Sequence, residues 1–403
     1  MAVNIDHTAA GSATIVASSS GTATLTLPNA TGTFLYSDAN GNANVAGSVV
    51  MGSSFLRNRV INGDMRIDQR NNGASVNGTD GTFSVDRWIC YVSQASKFTM
   101  QQNAGSVTPP SGFKNYLGIT VGASASVTIG ASDYFVIQQS IEGYNVSDFG
   151  FGAAGASTFT ISFWVRSSVT GTYGGSFKNK ATSADRSYPF TYTIVSANTW
   201  EKKTITVAGD TSGTWLFTNG TGICLCLSLG AGSTFSGTAG SWAAANYLSA
   251  TSTATPITTN SATFYLTGVQ LEVGTIATSF ERQIYSAQLQ QCQRYYQQLA
   301  SLGAGNFALL AIGNIAGSLT GYAGGYFRVS MRAAPTFSYS GTLGTDIKFQ
   351  TNGIDATPST IGSDQMNPDT WSVSLTGTSL TAGNALRIFS LTTSGIFKFS
   401  AEL

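Results

Sequence analysis

A single histidine, His7, is the only imidazole in 403 residues, so one chain cannot assemble a multi-histidine zinc site or a Ser-His-Asp triad. Glycoside hydrolysis asks for less, two carboxylates flanking the scissile bond. Asp86, Glu142, Glu201 and Glu272 are the candidates, and nothing in their spacing pairs any two of them. Cys224 and Cys226 stand two apart and would meet on one strand face, but no further Cys or His completes a soft-metal set, and they read as small buried hydrophobes. Asp86-Arg87-Trp88 offers a guanidinium for a sugar hydroxyl or carboxylate and an indole to stack on a pyranose. The competing reading, which the residue types favour, pairs Asp86 or Arg87 with backbone where a strand enters a sheet and puts Trp88 in the core. Trp164 is the more informative aromatic. Alternation separates it from Phe159, Ile161, Phe163 and Val165 and leaves it beside Thr160, Ser162 and Arg166, an apolar plane among hydrogen-bonding neighbours. Trp164 and Arg166 are therefore the glycan-binding candidates, against burial of Trp164 under a loop or in an oligomer interface.

The elements that carry these residues are almost all strands. From about residue 55 to 281, short alternating segments are punctuated by Gly, Asn and Ser turns every ten or so residues, the pattern of a β-sandwich or jelly roll. In Ile223-Cys-Leu-Cys-Leu-Ser-Leu229 the aliphatics take one face and the two cysteines the other. Residues 264–273 are apolar on both faces until Gln270 and Glu272, as expected near the centre of a sheet. A second all-β region, a small sandwich, is expected over 303–403, with strands near 307–311, 326–331, 336–340, 372–375, 387–391 and 396–401.

One stretch departs from the strand pattern. Tyr285, Leu289, Cys292, Tyr296 and Leu299 recur at spacings of four, three, four and three, the a/d seam of a short coiled coil. This predicts a trimerisation helix over 283–302, joining the two β regions on the axis of a homotrimer. Residues 1–52 are poor in large apolar groups, too poor to offset chain entropy alone. Ile15, Val16, Leu25, Leu27, Phe34, Leu35 and Tyr36 still alternate with Thr and Ser, so this segment is expected to fold against copies of itself or another protein. The expected division is 1–52, 53–282, 283–302 and 303–403.

Composition points away from metabolism. Charged residues are 10% of the chain, against roughly 25% in an average globular protein. A net charge of +1 without a basic run leaves no footprint for nucleic acid or anionic lipid. No apolar run approaches the length of a membrane span, and the N-terminus lacks the basic and apolar regions of a signal peptide, so folding in a cytoplasm is expected. The four cysteines, irregularly spaced, are expected to be free thiols.

Several phrases together resemble a tail-fibre and minor-tail module of bacteriophages. They are Arg59-Val-Ile-Asn-Gly-Asp-Met65, Val85-Asp-Arg-Trp88, Gly268-Val-Gln-Leu-Glu-Val-Gly274 with Ala277-Thr-Ser-Phe-Glu-Arg282, Cys292-Gln-Arg-Tyr-Tyr296, and Phe327-Arg-Val-Ser-Met-Arg332 followed by Pro335-Thr336. Where that family often has Trp-Gln-Arg, this chain has Asp68-Gln69-Arg70. The resemblance implies a jelly roll similar to carbohydrate-binding modules, trimerisation and a place on the virion. Similar jelly rolls suggest Glu272 as an oxygen ligand of a structural Ca²⁺; no other cofactor is expected. The expectation is a non-enzymatic, fibre-type structural virion protein, attached to other virion proteins through residues 1–52 and recognising a host-surface glycan. The alternatives are a capsid- or tail-decorating protein with no receptor and, third, a surface-polysaccharide depolymerase.

Overall fold

In the computed structural model the chain divides into two compact units, Met1–Ser54 and Phe55–Leu403. Described residues are 57–180, 185–300 and 308–403, together with two short strands of the first unit. In that first unit Tyr36–Ser37 pairs antiparallel with Ala43–Asn44. His7 and the other alternating positions read from the sequence lie outside the described residues.

Among its described residues the second unit is all-β apart from short helical turns and one α-helix. Its first part is two six-stranded sheets. One has the order Ser187–Ile194, Gly171–Lys178, Thr221–Ala231, Tyr134–Glu142, Ile89–Val92, Thr82–Phe83; the other runs Glu201–Val207, Phe159–Ser167, Thr263–Val273, Leu117–Val121, Phe98–Gln102, Val76–Asn77. Alternation decides what lies between them. Phe159, Ile161, Phe163 and Val165 from one sheet and Ile223, Leu225, Leu227 and Leu229 from the other belong to a single buried cluster. Each such side chain contributes about 1.5–3 kcal/mol through burial. The Thr263–Val273 strand is third of six, as its two-sided apolar pattern predicts.

The helix is shorter than its spacing predicts. It covers Tyr285–Gln293, and the chain then turns into a strand, Tyr296–Ala300, which pairs with Ile396–Ser400 near the C-terminus. The seam is therefore broken: Tyr296 opposes Ser400 and Leu299 opposes Phe397, while Tyr285 is exposed and Cys292 fully buried. The physical reason lies in the partners. Ala401 N–H donates to the Tyr295 carbonyl at 2.8 Å, the Tyr295 hydroxyl donates to Glu142, and Leu299 packs against the C-terminal core. Contacts to a strand a hundred residues downstream outweigh continued helix.

The C-terminal region is all-β as expected, with its strands arranged differently from two open sheets. Ala308–Ile315, Thr320–Tyr326, Thr370–Thr378, Ile354–Met366, Ile347–Thr351 and Ala385–Ser390 close into a six-stranded barrel, and Tyr296–Ala300, Ile396–Ser400 and Thr336–Ser340 form a three-stranded sheet beside it. Closure removes exposed edges. The expected strand near 326–331 is found earlier, at Thr320–Tyr326, and the strands Ile347–Thr351 and Ile354–Met366 were not read from sequence. No helix among the described residues is long and apolar enough to cross a membrane.

Candidate functional site

The family-like phrases converge on one buried joint between the two β regions. Asn62 accepts from the Ile67 amide and donates to the Ile67 and Asp86 carbonyls. Trp88 is fully buried, its indole N–H donating to the Asn62 carbonyl at 3.1 Å. The Gly63 carbonyl accepts from the Val269 amide; a Cβ on Gly63 would sit 2.1 Å from the Val269 carbonyl oxygen, so only glycine fits. Asp86 accepts from the Gln69 amide and side chain. Arg87 donates to the Ser140 carbonyl, lies over the Tyr295 ring and pairs with Glu402. Arg70 reaches the same Glu402 at 2.9 Å and stacks on Tyr296. Arg332 donates to the Ala401 and Glu402 carbonyls. Burial pushes the Cys292 thiol well up, with Asp86 adding to it. The Asp86-Arg87-Trp88 phrase is thus a fastening, inaccessible to a sugar.

The candidate carboxylates are engaged separately. Glu142, 1% exposed, takes a two-pronged pair from Arg294 at 2.9 and 2.6 Å and a bond from the Tyr295 hydroxyl. Glu201 caps the Val195–Ser196 turn and pairs with Lys203. Glu272 accepts from Gln270 and from the amide and hydroxyl of Thr278, bracing the turn after its strand. Among the described residues no three His, Cys, Asp or Glu side chains cluster as metal ligands. Asp68, standing where the family often has Trp, accepts from the Asn71 and Gly73 amides and shapes that turn.

Trp164 and Arg166 lie on the sheet face away from the core, as alternation predicts. Trp164 is half-buried, and its indole and the Phe113 ring both crowd Gly268. Phe113 in turn packs edge-on against Phe280, and Arg166 is turned to the Asn198 carbonyl and the Tyr265 ring. Neither residue lines a described cavity.

The opposite sheet carries an open groove of about 410 Å³ on its outer face. Its floor is built by alternation. Ile137, Leu225 and Phe177 point into the core, which sends Val136, Gln138, Cys224 and Lys178 outward. Cys224 stands directly opposite Lys178 in the strand ladder. Tyr91 and Tyr134 form one wall, and Phe235 and Leu248, from the long connection 232–262, form the other, with Lys180 and Asn246 at the rim. Tyr134 and Phe235 meet edge to face at 5.1 Å, closing one end. The connection is held to the sheet by Ser187, whose hydroxyl donates to the Ala245 carbonyl and accepts from the Tyr247 amide.

The chemistry of this lining suits a polar ring with apolar faces. Burial raises the Tyr91 and Tyr134 phenols above their ordinary value, so both remain neutral, able to donate and accept. Gln138 donates to the Ser140 hydroxyl and accepts from the Cys226 thiol. Burial pushes Cys226 up to about 12 and raises Cys224 too, against the pull of Lys178 and Lys180, so neither thiol is a nucleophile at neutral pH. All four cysteines are free and buried. Sequence reasoning placed the two cysteines opposite the aliphatics but missed the groove. Its available signal was the outward set Val136, Gln138, Cys224 and Lys178, which mixes apolar and polar groups on one face.

No known protein family's sequence profile matches the chain, and no curated protein matches it. Among solved structures, the bacteriophage CBA120 tailspike protein 4 enzymatically active domain is 12% identical over 54% of this chain, at a TM-score of 0.27. The chain spans only 21% of that tailspike's length. A structure described as CBM4 is 12% identical, covering 47% of this chain and 95% of its own, TM-score 0.26. A family 11 carbohydrate-binding module from Clostridium thermocellum, in complex with a β-1,3-1,4-mixed-linked tetrasaccharide, is 12% identical, covering 51% and 98%, TM-score 0.26.

Proposed function

We propose that this chain is a fibre-type structural virion protein of a bacteriophage whose jelly roll recognises a host-surface glycan through the Tyr91–Tyr134 groove. The virion reading rests on the ordered phrases from Arg59 to Thr336. The observation that carries glycan recognition is the groove itself: aromatic walls from Tyr91, Tyr134 and Phe235 around polar Gln138, Lys178 and Asn246. Aromatic rings cover the apolar face of a sugar, and the amide and ammonium groups satisfy its hydroxyls. This reading replaces Trp164 and Arg166, whose surroundings are already filled, as the preferred contact. Among the described residues no carboxylate lines the groove, and a glycosidic bond held there would lack an acid and a nucleophile from them, which favours retention of the glycan over cleavage. Attachment to the particle is assigned to residues 1–52, and assembly to a homotrimer, where weak single sites gain by avidity.

The test is adsorption of the labelled protein to host cells in competition with purified host surface polysaccharide. Competition that removes most binding supports the reading. Binding to cells that polysaccharide does not displace, or no binding, overturns it in favour of a decorating protein without a receptor.

A further inference from the structure

We infer that the groove selects an acidic glycan, a sugar chain carrying carboxylates, and binds its neutral counterpart more weakly. The inference rests on the groove being the glycan site. Lys178 is the last residue of its strand and Lys180 follows two residues on, and both line the groove. Their charge reaches its floor, since both act on the Cys224 thiol. Lys178 is half-buried and its ammonium donates to the Asn246 side-chain oxygen, a neutral partner. Among the described residues it forms no ion pair, whereas Lys203 and Lys348 each face a carboxylate directly. Among the described residues no Asp or Glu lines the groove. Asp80, which acts on Tyr91 and Tyr134, is turned to the Val92 amide.

Two ammonium groups beside aromatic walls and no countercharge make a site that a neutral sugar fills only in part. A half-desolvated cation gains from a ligand anion more than from a hydroxyl, because the hydrogen bond becomes charge-assisted on both sides. In a chain only 10% charged, this unbalanced pair is the groove's clearest statement about its ligand.

The experiment compares oligogalacturonate with the same oligomer after reduction of its carboxylates to primary alcohols, by calorimetry on the full-length protein. The wild type is expected to bind the acidic form about ten- to a hundredfold more tightly, and this preference should shrink on raising salt from about 0.05 M to about 0.5 M. Lys178→Met with Lys180→Met should abolish the preference, weakening the acidic form by more than it weakens the reduced form until the two bind alike. Equal affinity for the two forms, failure to bind the acidic form, or a preference that survives in the double variant overturns the inference. Tyr91→Ala separates the two readings. If it weakens binding of the reduced form while the lysine variants change nothing, the groove is a glycan site without acid selectivity; if it changes nothing for either form, the groove reading itself fails. A sulfated galactan run in parallel reports whether the selectivity is for carboxylate or for negative charge in general.

Discussion

Arg87 and Glu402, 315 positions apart in sequence, form a buried ion pair at the joint between the jelly roll and the C-terminal β region. Glu402 also receives Arg70, which Asp86 faces from 3.7 Å, and burial lowers the pKa of both arginines. The phrases that resemble the tail-fibre module are spent on this fastening, so they describe no ligand.

Removing that carboxylate is expected to be costly. Glu402→Gln takes the paired carboxylate from buried Arg87 and leaves Arg70 with Asp86 alone, at 3.7 Å, and breaking a buried pair in this way destabilises by roughly 3–5 kcal/mol. Chemical denaturation of the full chain measures it. A loss below about 1 kcal/mol, the range of exposed pairs, would mean that the joint is solvated.

Stability should fall in alkali. Cys90 and Cys226, ordinarily near 9.0, are pushed by burial up to about 12, and Tyr296, ordinarily near 10.0, also to about 12. The folded chain holds these protons after the unfolded chain has released them, so their contribution is complete below about pH 9 and declines between about pH 9 and 12. Melting temperatures across pH 7 to about 12 check the sign. A rise in stability through that window would contradict the burial of these groups.

The trimer proposal needs an interface other than the full heptad seam. Ile284 and Tyr285, 73% and 57% exposed at the helix start, are the apolar side chains at that point free to meet another copy. Wild-type sedimentation as a trimer is expected, and Ile284→Asp with Tyr285→Asp should dissociate it through the cost of burying unpaired charge. A monomeric wild type removes the trimer, and an unchanged trimer of the variant removes this contact.

Residues 1–52 are expected to carry attachment. A chain beginning at Gly52 should fold, because the second compact unit starts at Phe55, yet fail to enter virions. Normal incorporation, read by particle composition, would move the anchor elsewhere.

What could be read from sequence was what period two controls. Residues 159–166 and 223–229 alternate against one large core, so their inward and outward sets follow from spacing alone. The extent of the helix did not, because Tyr296 and Leu299 satisfy a heptad and a strand equally well, and the deciding partner, Ile396–Ser400, lies about a hundred residues away. The Thr320–Tyr326 strand was hidden by glycines, which carry little strand propensity. Gly324 sits where a Cβ would come within 2.3 Å of the Trp371 carbonyl oxygen, so glycine there serves close strand packing. The groove was illegible for a related reason. Tyr91, Tyr134 and the pair Phe235 and Asn246 come from three segments, and alternation shows only that the strand residues point outward, leaving unsaid what the connection 232–262 folds against.

The central claim is most directly tested by glycan binding of Tyr91→Ala with Tyr134→Ala beside Trp164→Ala, each measured against host surface polysaccharide after confirming unchanged melting. Loss of the two phenol walls is expected to weaken binding by about tenfold or more, since each aromatic contact contributes about 0.5–1.5 kcal/mol beyond area burial, while Trp164→Ala binds as the wild type does. Full binding by the Tyr91/Tyr134 variant, or loss of binding by Trp164→Ala alone, would contradict the account.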